Sequence, residues 1–177
     1  MHEPGEVRRK VALAVAAAEY FLRRPIGSVF DVGCGEAAWY PHLRVLRRHA
    51  KYSGIDASDY VVEEFGESRN ISRGSFDDLR KLRGSFDLVV CSDVLHYVAD
   101  RELRRGLPHL ERLTAGIAFI EVLTGEDDII GDVEGLIRRP AEWYRRQFAN
   151  AGFAQAGPYV WLPRVMQDSA AELEMLS

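Results

Sequence analysis

The sequence predicts a doubly wound α/β fold, in which a mostly parallel sheet of about six or seven strands carries helices on both faces. Two observations lead to this prediction. Apolar, β-branched runs alternate with segments of helical spacing, as in successive βαβ units. The first of these runs ends in a glycine turn that opens into a helix. With 177 residues, of which 47% are hydrophobic, the chain has the length and apolar content of one domain.

The elements follow one another in a regular order. Before the first strand, apolar residues recur at helical spacing between Val7 and Leu22, which predicts an amphipathic helix within residues 1–25. The basic residues ahead of Val11 also imitate a secretion signal, but Glu19 and Arg23 continue the pattern beyond any cleavage point. The predicted strands are Ser28–Val32, Tyr52–Ile55, Phe86–Cys91 and Ile117–Leu123, with weaker ones at Ile71–Ser75 and Phe153–Trp161, and the helices between them include Trp39–His49, Arg101–Leu113 and Ala141–Ala151.

Composition argues against several kinds of partner. A net charge of -4 does not suit a surface that neutralises nucleic-acid phosphates. Cys34 and Cys91 lie too far apart in the sequence for a zinc site and are interpreted as reduced thiols. No segment is long enough to cross a membrane. We therefore predict a cytoplasmic protein with no nucleic-acid or membrane partner.

The end of the first strand is the expected ligand site, because doubly wound sheets bind ligands at the carboxyl ends of strands, where the strand order reverses. Gly33, Gly35 and Ala38 occupy the three small-residue positions of a G-x-G-x-x-G/A pattern. Asp56 follows 23 positions after Gly33, at the end of the next predicted strand. A carboxylate at that place can accept hydrogen bonds from both hydroxyls of a ribose.

Two acids favour one nucleotide cofactor over another. Asp31 and Glu36 flank the glycine turn and would repel the pyrophosphate that a dinucleotide places at the helix N-terminus. S-adenosylmethionine has no phosphate and carries a cationic sulfonium and an α-ammonium, so both acids are compatible with it. Glu36 alone is also explained as a first-turn acid that complements the helix dipole, but Asp31 is not.

The motifs together resemble those of the class I S-adenosylmethionine-dependent methyltransferases, which have a Rossmann-like fold. They run in the family's order from Asp31-Val-Gly-Cys-Gly through Gly54-Ile-Asp56-Ala-Ser to Phe86-Asp-Leu-Val-Val-Cys-Ser-Asp93-Val-Leu-His-Tyr-Val, and then to Trp143 and Ala151-Gly-Phe153. The resemblance implies one domain over residues 1–177, with a cofactor-binding half at 26–123 and an acceptor-side loop and C-terminal elements at 124–177. It also implies transfer of a methyl group to an O, N or C nucleophile by in-line displacement.

Carried over by position, the resemblance assigns residues to each part of the cofactor. Many members have an Asp that contacts the adenine amine where this chain has Ser75, so we expect Ser75 or the Phe76 backbone to replace it. Trp39 and Tyr40 could wall the methyl-transfer pocket, although core packing explains Trp39 equally well. The expected cofactor residues are Asp31, Gly33, Cys34 and Gly35 at the methionine part, Asp56 at the ribose, Ala57, Ser75 and Phe76 at the adenine, and Tyr40 and Ser92 around the reacting centre.

Two departures from the family pattern bear on the fold. Ala37 stands where many members have a further glycine, which is acceptable if Ala37 already belongs to the helix. After Phe153 the family adds an antiparallel pair of strands, whereas this chain has only Tyr159–Leu162 before Pro163. We therefore expect that the sheet lacks its last strand, which would leave an edge for the C-terminal tail or for a second copy in a homodimer.

The segment after the predicted fourth strand holds the candidate catalytic residues. Asp93 is a candidate base or orienting group, or alternatively the N-cap of a following helix. His96 has a pKa range suited to proton removal, or alternatively is hydrogen-bonded to a neighbouring loop. Ser92-Asp93-Val94-Leu95 lacks the Pro-Pro-aromatic pattern of enzymes that methylate nucleobase amines, which favours a small-molecule acceptor.

Glu121 and the residues after it form the expected acceptor side. Metal-dependent relatives carry an Asp-Asn pair where this chain has Glu121-Val122, so we expect no metal. The acidic segment Thr124–Pro140 is either a lid, which would favour a neutral or cationic acceptor, or an ordinary solvated loop. Two other functions remain open at this point. The fold could serve a nicotinamide-dependent oxidoreductase, or a cofactor-binding module without catalysis.

Overall fold

A computed structural model describes residues 4–127 and 135–171. Within these residues, seven strands form one sheet in the order β3-β2-β1-β4-β5-β7-β6. β1 to β5 are parallel, whereas β7 runs antiparallel to both β5 and β6. The strands are β1 (Ser28–Val32), β2 (Lys51–Asp56), β3 (Ile71–Arg73), β4 (Phe86–Ser92), β5 (Thr114–Glu121), β6 (Ala154–Gly157) and β7 (Val160–Leu162).

Helices cover both faces of this sheet and bury its apolar residues in two clusters. On one face, Val11 and Ala14 of the N-terminal helix pack against strand residues such as Leu88 and Phe119. On the other face, Leu107 and Phe148 pack against residues such as Val89. The helices are α1 (Pro4–Leu22), α2 (Trp39–Leu46), α3 (Asp59–Arg69), α4 (Asp100–Leu113), α5 (Ala141–Ala151) and α6 (Arg164–Ala170), with a 3-10 helix at Phe76–Lys81 between β3 and β4.

The predicted doubly wound α/β class is confirmed, and so are most of the predicted elements. The bounds of β1 and α5 agree with the prediction, and α2 ends three residues early. β5 begins at Thr114 instead of Ile117, because its first residues pair with Phe86 at the start of β4. The described residues thus contain the mostly parallel, helix-covered sheet that the alternating sequence pattern predicts.

The prediction that the sheet lacks its last strand is wrong. The segment predicted as one strand at Phe153–Trp161 is a short hairpin, whose strands β6 and β7 are joined at Pro158 and Tyr159. Tyr159 has a φ of 61°, a left-handed conformation that closes this tight turn. Both strands are too short to produce a clear period-2 pattern, which is why the sequence suggested a single strand.

Candidate functional site

The sheet order reverses between β1 and β4, and the loops after these two strands meet there. The loop after β1 is the predicted glycine turn. Its Gly33 and Cys34 N–H groups both donate to the Ile55 carbonyl, at 2.8 Å and 3.1 Å, which fastens the turn to the end of β2. The predicted ligand edge therefore consists of the ends of β1, β2 and β4.

The backbone explains the two glycines of the turn. Gly33 has a φ of 65° and Gly35 a φ of 51°, both in the left-handed region that glycine adopts without a steric cost. A Cβ at Gly33 would also lie 2.5 Å from a methyl carbon of Val94 in the loop after β4. A side chain at position 33 would therefore push the two loops of the site apart.

Ala37 does not belong to the helix, so the condition under which an alanine would be acceptable there is not met. α2 begins at Trp39, and Ala37 still lies in the turn with a φ of 52° and a fully buried side chain. Its N–H donates to the Cys34 carbonyl at 2.8 Å. The turn thus retains the left-handed conformation that glycine favours, and the alanine must adopt it.

Asp56 connects the glycine turn to the start of α3. One carboxylate oxygen accepts the Gly35 N–H at 2.8 Å, and the other accepts the Ser58 N–H at 2.9 Å. These bonds hold the carboxylate in one orientation at the end of β2. Asp56 is half-buried, so a ligand can still reach it.

A cavity of about 350 Å³ opens at this edge of the sheet. Its size falls in the range of pockets that bind small molecules. The cavity brings together half of the predicted cofactor residues and one predicted catalytic residue. They are Gly33, Asp56, Ala57, Ser75 and Phe76, together with Asp93. Tyr97 and Glu102, which were not predicted to bind the cofactor, also line it.

Ser75 already has a hydrogen-bond partner at the predicted adenine end. Its hydroxyl and its N–H both bond one oxygen of Asp78, at 3.0 Å and 2.9 Å, in a capping box at the start of the 3-10 helix. Hydrogen bonds from Lys81 and Ser75 lower the pKa of Asp78 to about 2. Phe76 is buried against Gly106 of α4, where a Cβ would lie 2.4 Å from its ring.

The other predicted cofactor residues lie around a neighbouring group of buried side chains. Asp31 is 3% exposed and accepts a hydrogen bond from the Tyr52 hydroxyl at 2.8 Å. Cys34 is next to this pair, and the Tyr40 ring packs edge-on to the Tyr52 ring at 5.2 Å. Trp39 is buried with its ring 4.9 Å from that of Phe119, which agrees with core packing rather than a pocket wall.

Ser92 belongs to a third polar group, at the ends of β4 and β5. Its hydroxyl donates to Glu121 at 2.6 Å, and the other Glu121 oxygen lies 2.7 Å from the Lys10 ammonium. Lys10 and Glu121 are each 9% exposed. Burial lowers the pKa of Lys10, but the bonds to Glu121 and Glu6 outweigh it and raise the pKa overall. The N-terminal helix thereby supplies a cation to the predicted acceptor side.

The two predicted catalytic residues have different access to the cavity. Asp93 lines it, with a left-handed φ of 59° and its N–H bonded to the Glu121 carbonyl at 3.1 Å. Asp93 does not cap an α-helix, since α4 begins only at Asp100. Asp93 is therefore placed to contact a ligand in this cavity.

His96 is fully buried, and its Nδ1 accepts the Leu123 N–H at 3.2 Å. Burial lowers the pKa of His96, with the Asp93 charge opposing and the Arg139 charge adding to the effect. Among the described residues, the buried Nε2 atom has no hydrogen-bond partner. This geometry agrees with the alternative in which His96 is hydrogen-bonded to a neighbouring loop. The buried imidazole cannot contact a methyl acceptor in the cavity.

Arg139, which the sequence analysis did not single out, fixes the loop that contains these residues. Its guanidinium is 5% exposed and donates to the carbonyls of Leu95 and Val98, at 3.2 Å and 2.7 Å. It also bonds Asp100 at 2.9 Å and the Tyr144 hydroxyl at 3.0 Å. Four partners from three segments make Arg139 the link between the post-β4 loop, α4 and α5.

The two ends of the predicted acidic segment are tied together. The Gly125 N–H donates to the Arg139 carbonyl at 2.8 Å, and Glu126 accepts the Ala141 N–H at 3.1 Å. Asp127 accepts both the N–H and the hydroxyl of Thr124. Glu126 and Asp127 thus stabilise the base of the loop, while Asp128, Asp132 and Glu134 lie outside the described residues.

The described residues contain neither a cluster of metal ligands nor a helix that could cross a membrane. In residues 4–127 and 135–171, no three His, Cys, Asp or Glu side chains are arranged to hold a metal ion. None of the helices within the same ranges has the length and apolarity needed to cross a membrane.

Comparison with known proteins gives a family and a set of related folds. Residues 29–115 match the family model described as a methyltransferase domain. No curated protein sequence matches the chain. Among solved structures, the chain is similar to the plantazolicin methyltransferase BamL in complex with a triazolic desmethylPZN analogue and S-adenosylhomocysteine, with a TM-score of 0.67 and 13% identity. That match covers 84% of this chain and 65% of BamL, so the chain spans less than two thirds of the length of BamL.

Two further structures have the same fold. The magnesium protoporphyrin IX methyltransferase ChlM of Synechocystis PCC 6803, with bound S-adenosylhomocysteine, has a TM-score of 0.64 and 20% identity, over 87% of this chain and 75% of ChlM. DesVI of Streptomyces venezuelae has a TM-score of 0.70 and 14% identity, over 90% of this chain and 91% of DesVI.

The sheet order, the glycine turn and the family match define the class of this protein. Residues 29–115 form a methyltransferase domain, and the described fold is that of the class I S-adenosylmethionine-dependent methyltransferases. The methyltransferase domain and the fold predicted from the sequence are thereby confirmed.

Proposed function

We propose that this enzyme transfers the methyl group of S-adenosylmethionine to an O, N or C nucleophile of a small molecule, by in-line displacement. The cavity at the sheet's reversal point is the observation that carries the proposal, since Gly33, Asp56 and Asp93 all line it. The bound cofactor supplies a methyl group on a sulfonium, which is already a good leaving group. The chain's own residues then have to bind the cofactor and the acceptor, orient the two for the transfer, and exclude water.

The cofactor residues fit these tasks in three ways. Asp56, fixed by the Gly35 and Ser58 N–H groups, presents a carboxylate at which ribose hydroxyls can bind. Gly33 keeps the backbone free of side chain where the loops after β1 and β4 approach each other. Phe76 gives the cavity an apolar wall that a flat adenine ring can contact.

The charges around the site suggest the kind of acceptor. Asp56, Asp93 and Glu102 line the cavity, and none of the described residues that line it is a Lys or an Arg. The Lys10 ammonium lies nearby but is bound to Glu121 and Glu6. An acidic site attracts cationic molecules and repels anions, whereas neutral molecules can enter it without electrostatic repulsion. We therefore propose a neutral or cationic small molecule in the cytoplasm as the acceptor, and Asp93 as the group that orients it.

Calorimetric titration with S-adenosylhomocysteine and, separately, with NADH tests the cofactor site. We expect S-adenosylhomocysteine to bind and NADH not to bind. Asp56→Ala should weaken binding at least tenfold, because the variant loses the ribose acceptor. Asp59→Ala is a matched control, since Asp59 is exposed on α3 and is not among the residues that line the cavity. Binding of NADH alone would favour the oxidoreductase instead.

Turnover distinguishes the enzyme from a binding module without catalysis. The burial of His96 gives some support to the binding module without catalysis. Of the two predicted catalytic residues, Asp93 lines the cavity and His96 does not. A panel of neutral and cationic acceptors should be screened for formation of S-adenosylhomocysteine. With an accepted substrate, Asp93→Asn should lower kcat. Cofactor binding without turnover across a broad panel would favour the module.

A further inference from the structure

Asp31 and Tyr52 form a buried pair beneath the glycine turn. The register of β1 and β2 aligns Val29 with Tyr52 and Asp31 with Gly54, so that the Tyr52 side chain lies diagonally next to Asp31 on the same face. Asp31 is 3% exposed, Tyr52 is 7% exposed, and the Tyr52 hydroxyl donates to Asp31 Oδ2 at 2.8 Å. The pair is therefore removed from bulk water.

Gly54 and Cys34 make room for this pair and enclose it. A Cβ at Gly54 would lie 2.7 Å from the Cys34 sulfur, so only glycine lets the thiol lie over β2 at this point. Cys34 is half-buried, and its burial, followed by the charges of Asp31 and Asp56, raises the pKa of the thiol. The thiol is thus a neutral neighbour of Asp31.

Among the described residues, no cation faces Asp31. The groups that face it are Tyr52 and Asp56 from β2, Cys34 from the glycine turn and Cys91 from β4. Burial raises the pKa of Asp31 to about 7, the hydrogen bond from Tyr52 lowers it, and the Asp56 charge raises it. A buried carboxyl group without a positive partner is an incomplete ion pair, which a cationic ligand can complete.

We propose that Tyr52 is a positioning residue that holds Asp31 for the α-ammonium of the cofactor, and that cofactor binding in mildly acidic solution expels a proton from Asp31 to solvent. The inference rests on the proposed function, because it needs the cofactor in this site. The ammonium keeps its own protons, the carboxyl group loses one, and no other bond changes.

Proton release gives the affinity a defined dependence on pH. Below about pH 7, Asp31 is protonated in the free enzyme and must ionise on binding, so the affinity falls by about tenfold for each pH unit. About one proton should then be released per bound ligand. Above that pH the carboxylate is already ionised, and the affinity should level off. Calorimetry with S-adenosylhomocysteine from pH 5.5 to 8, in buffers of different ionisation enthalpy, measures both quantities.

Tyr52→Phe tests the positioning role. The variant removes the hydrogen bond that favours the ionised carboxyl, so the pH at which the affinity levels off should move upward. The fold loss of affinity should be largest at the acidic end of the range, where Asp31 is protonated in both free proteins, and it should shrink toward pH 8. Tyr20→Phe is the matched control, since Tyr20 is 79% exposed on α1. Asp31→Asn should bind weakly at every pH and release no proton.

The outcomes separate this inference from the proposed function. Absence of S-adenosylhomocysteine binding to the wild type at every pH would overturn both. Binding whose affinity does not change with pH, without proton release, would overturn the inference alone. A uniform loss of affinity in Tyr52→Phe at all pH values would show a purely structural role for Tyr52. If Tyr52→Phe does not fold, the wild type and Asp31→Asn still test the proton linkage.

Discussion

Lys10 of the N-terminal helix and Glu121 at the end of β5 form a buried ion pair, with the ammonium 2.7 Å from the carboxylate. Glu121 also accepts the Ser92 hydroxyl, so the contact joins α1 to the ends of β4 and β5. A buried ion pair adds little net stability, but removing one partner leaves an uncompensated charge. The effect of replacing Lys10 or Glu121 on stability should therefore depend on whether the other residue is present.

Lys10→Met should lower the free energy of unfolding by about 3 kcal/mol, because Glu121 is left buried without its cation. Adding Glu121→Gln should recover part of that loss, since the glutamine carries no charge and can still accept the Ser92 hydroxyl. Urea unfolding of both single variants and the double variant measures the coupling. Arg9→Met, at an exposed neighbour on the same helix, is the control. Additive effects of the two substitutions would contradict the interpretation.

Asp31 should reduce the stability of the enzyme at neutral pH in the absence of cofactor. Its pKa is about 7 when folded and near 3.8 when unfolded, so the folded protein binds the extra proton between these values. The contribution of Asp31 to stability is therefore largest below about pH 4, falls as the pH rises to 7, and is constant above.

Asp31→Asn removes this dependence. The free energy of unfolding of the variant minus that of the wild type should thus increase by about 2 to 3 kcal/mol between pH 5 and pH 8. Urea unfolding of both proteins at a series of pH values gives this difference directly. The contributions of the other titrating groups are the same in both proteins and cancel in the difference. A difference that stays constant with pH would mean that Asp31 is already ionised when buried. That result would also remove the basis for proton release on cofactor binding.

The sequence predicted the parts of the site that depend on local pattern. Gly33, Gly35 and Asp56 were found because a turn after a strand and an acid at the next strand end have fixed places in a doubly wound sheet. Tyr52 and Lys10 were missed as partners of Asp31 and Glu121. Tyr52 reaches Asp31 only through the register of β1 against β2, and Lys10 reaches Glu121 only through the packing of α1 on the sheet. Neither register nor packing can be derived from residue spacing.

Arg139 was missed for a related reason. Its segment is predicted either as a lid or as a solvated acidic loop, and nothing in the sequence indicates which of its two adjacent arginines, Arg138 and Arg139, is buried. The loop's own backbone places it there, with Gly125 bonded to the Arg139 carbonyl and Ile137 to the His96 carbonyl. The same two contacts explain why His96, predicted as a base from its chemistry, is enclosed by neighbouring chain.

Arg139→Lys should destabilise the enzyme by about 2 to 3 kcal/mol, although the charge is kept. A lysine cannot bond the Leu95 and Val98 carbonyls, Asp100 and Tyr144 together, so buried acceptors lose their donors. Thermal unfolding measures the loss, and binding of S-adenosylhomocysteine should weaken too, since Val98 lines the cavity. Arg138→Lys, at an exposed neighbour, should change stability by less than about 0.5 kcal/mol. Equal effects of the two substitutions would show that Arg139 does not link the segments.

Ala37 and Ala38 are adjacent alanines in opposite conformations, and replacing each by glycine should have effects of opposite sign. Ala37 has a φ of 52°, whereas Ala38 has a φ of -58° in the right-handed helical region. The left-handed conformation costs an alanine about 1 to 2 kcal/mol, and a glycine almost nothing.

Ala37→Gly should therefore raise the free energy of unfolding by about 0.5 to 1 kcal/mol, after the greater freedom of glycine in the unfolded chain is subtracted. Ala38→Gly gains no relief and should lower the free energy of unfolding by a similar amount. Urea unfolding of the two variants and the wild type measures both changes in the free energy of unfolding. The two variants can be compared because each substitution removes one methyl group from the same turn. If Ala37→Gly is destabilising, the buried methyl group contributes more to packing than its left-handed backbone costs.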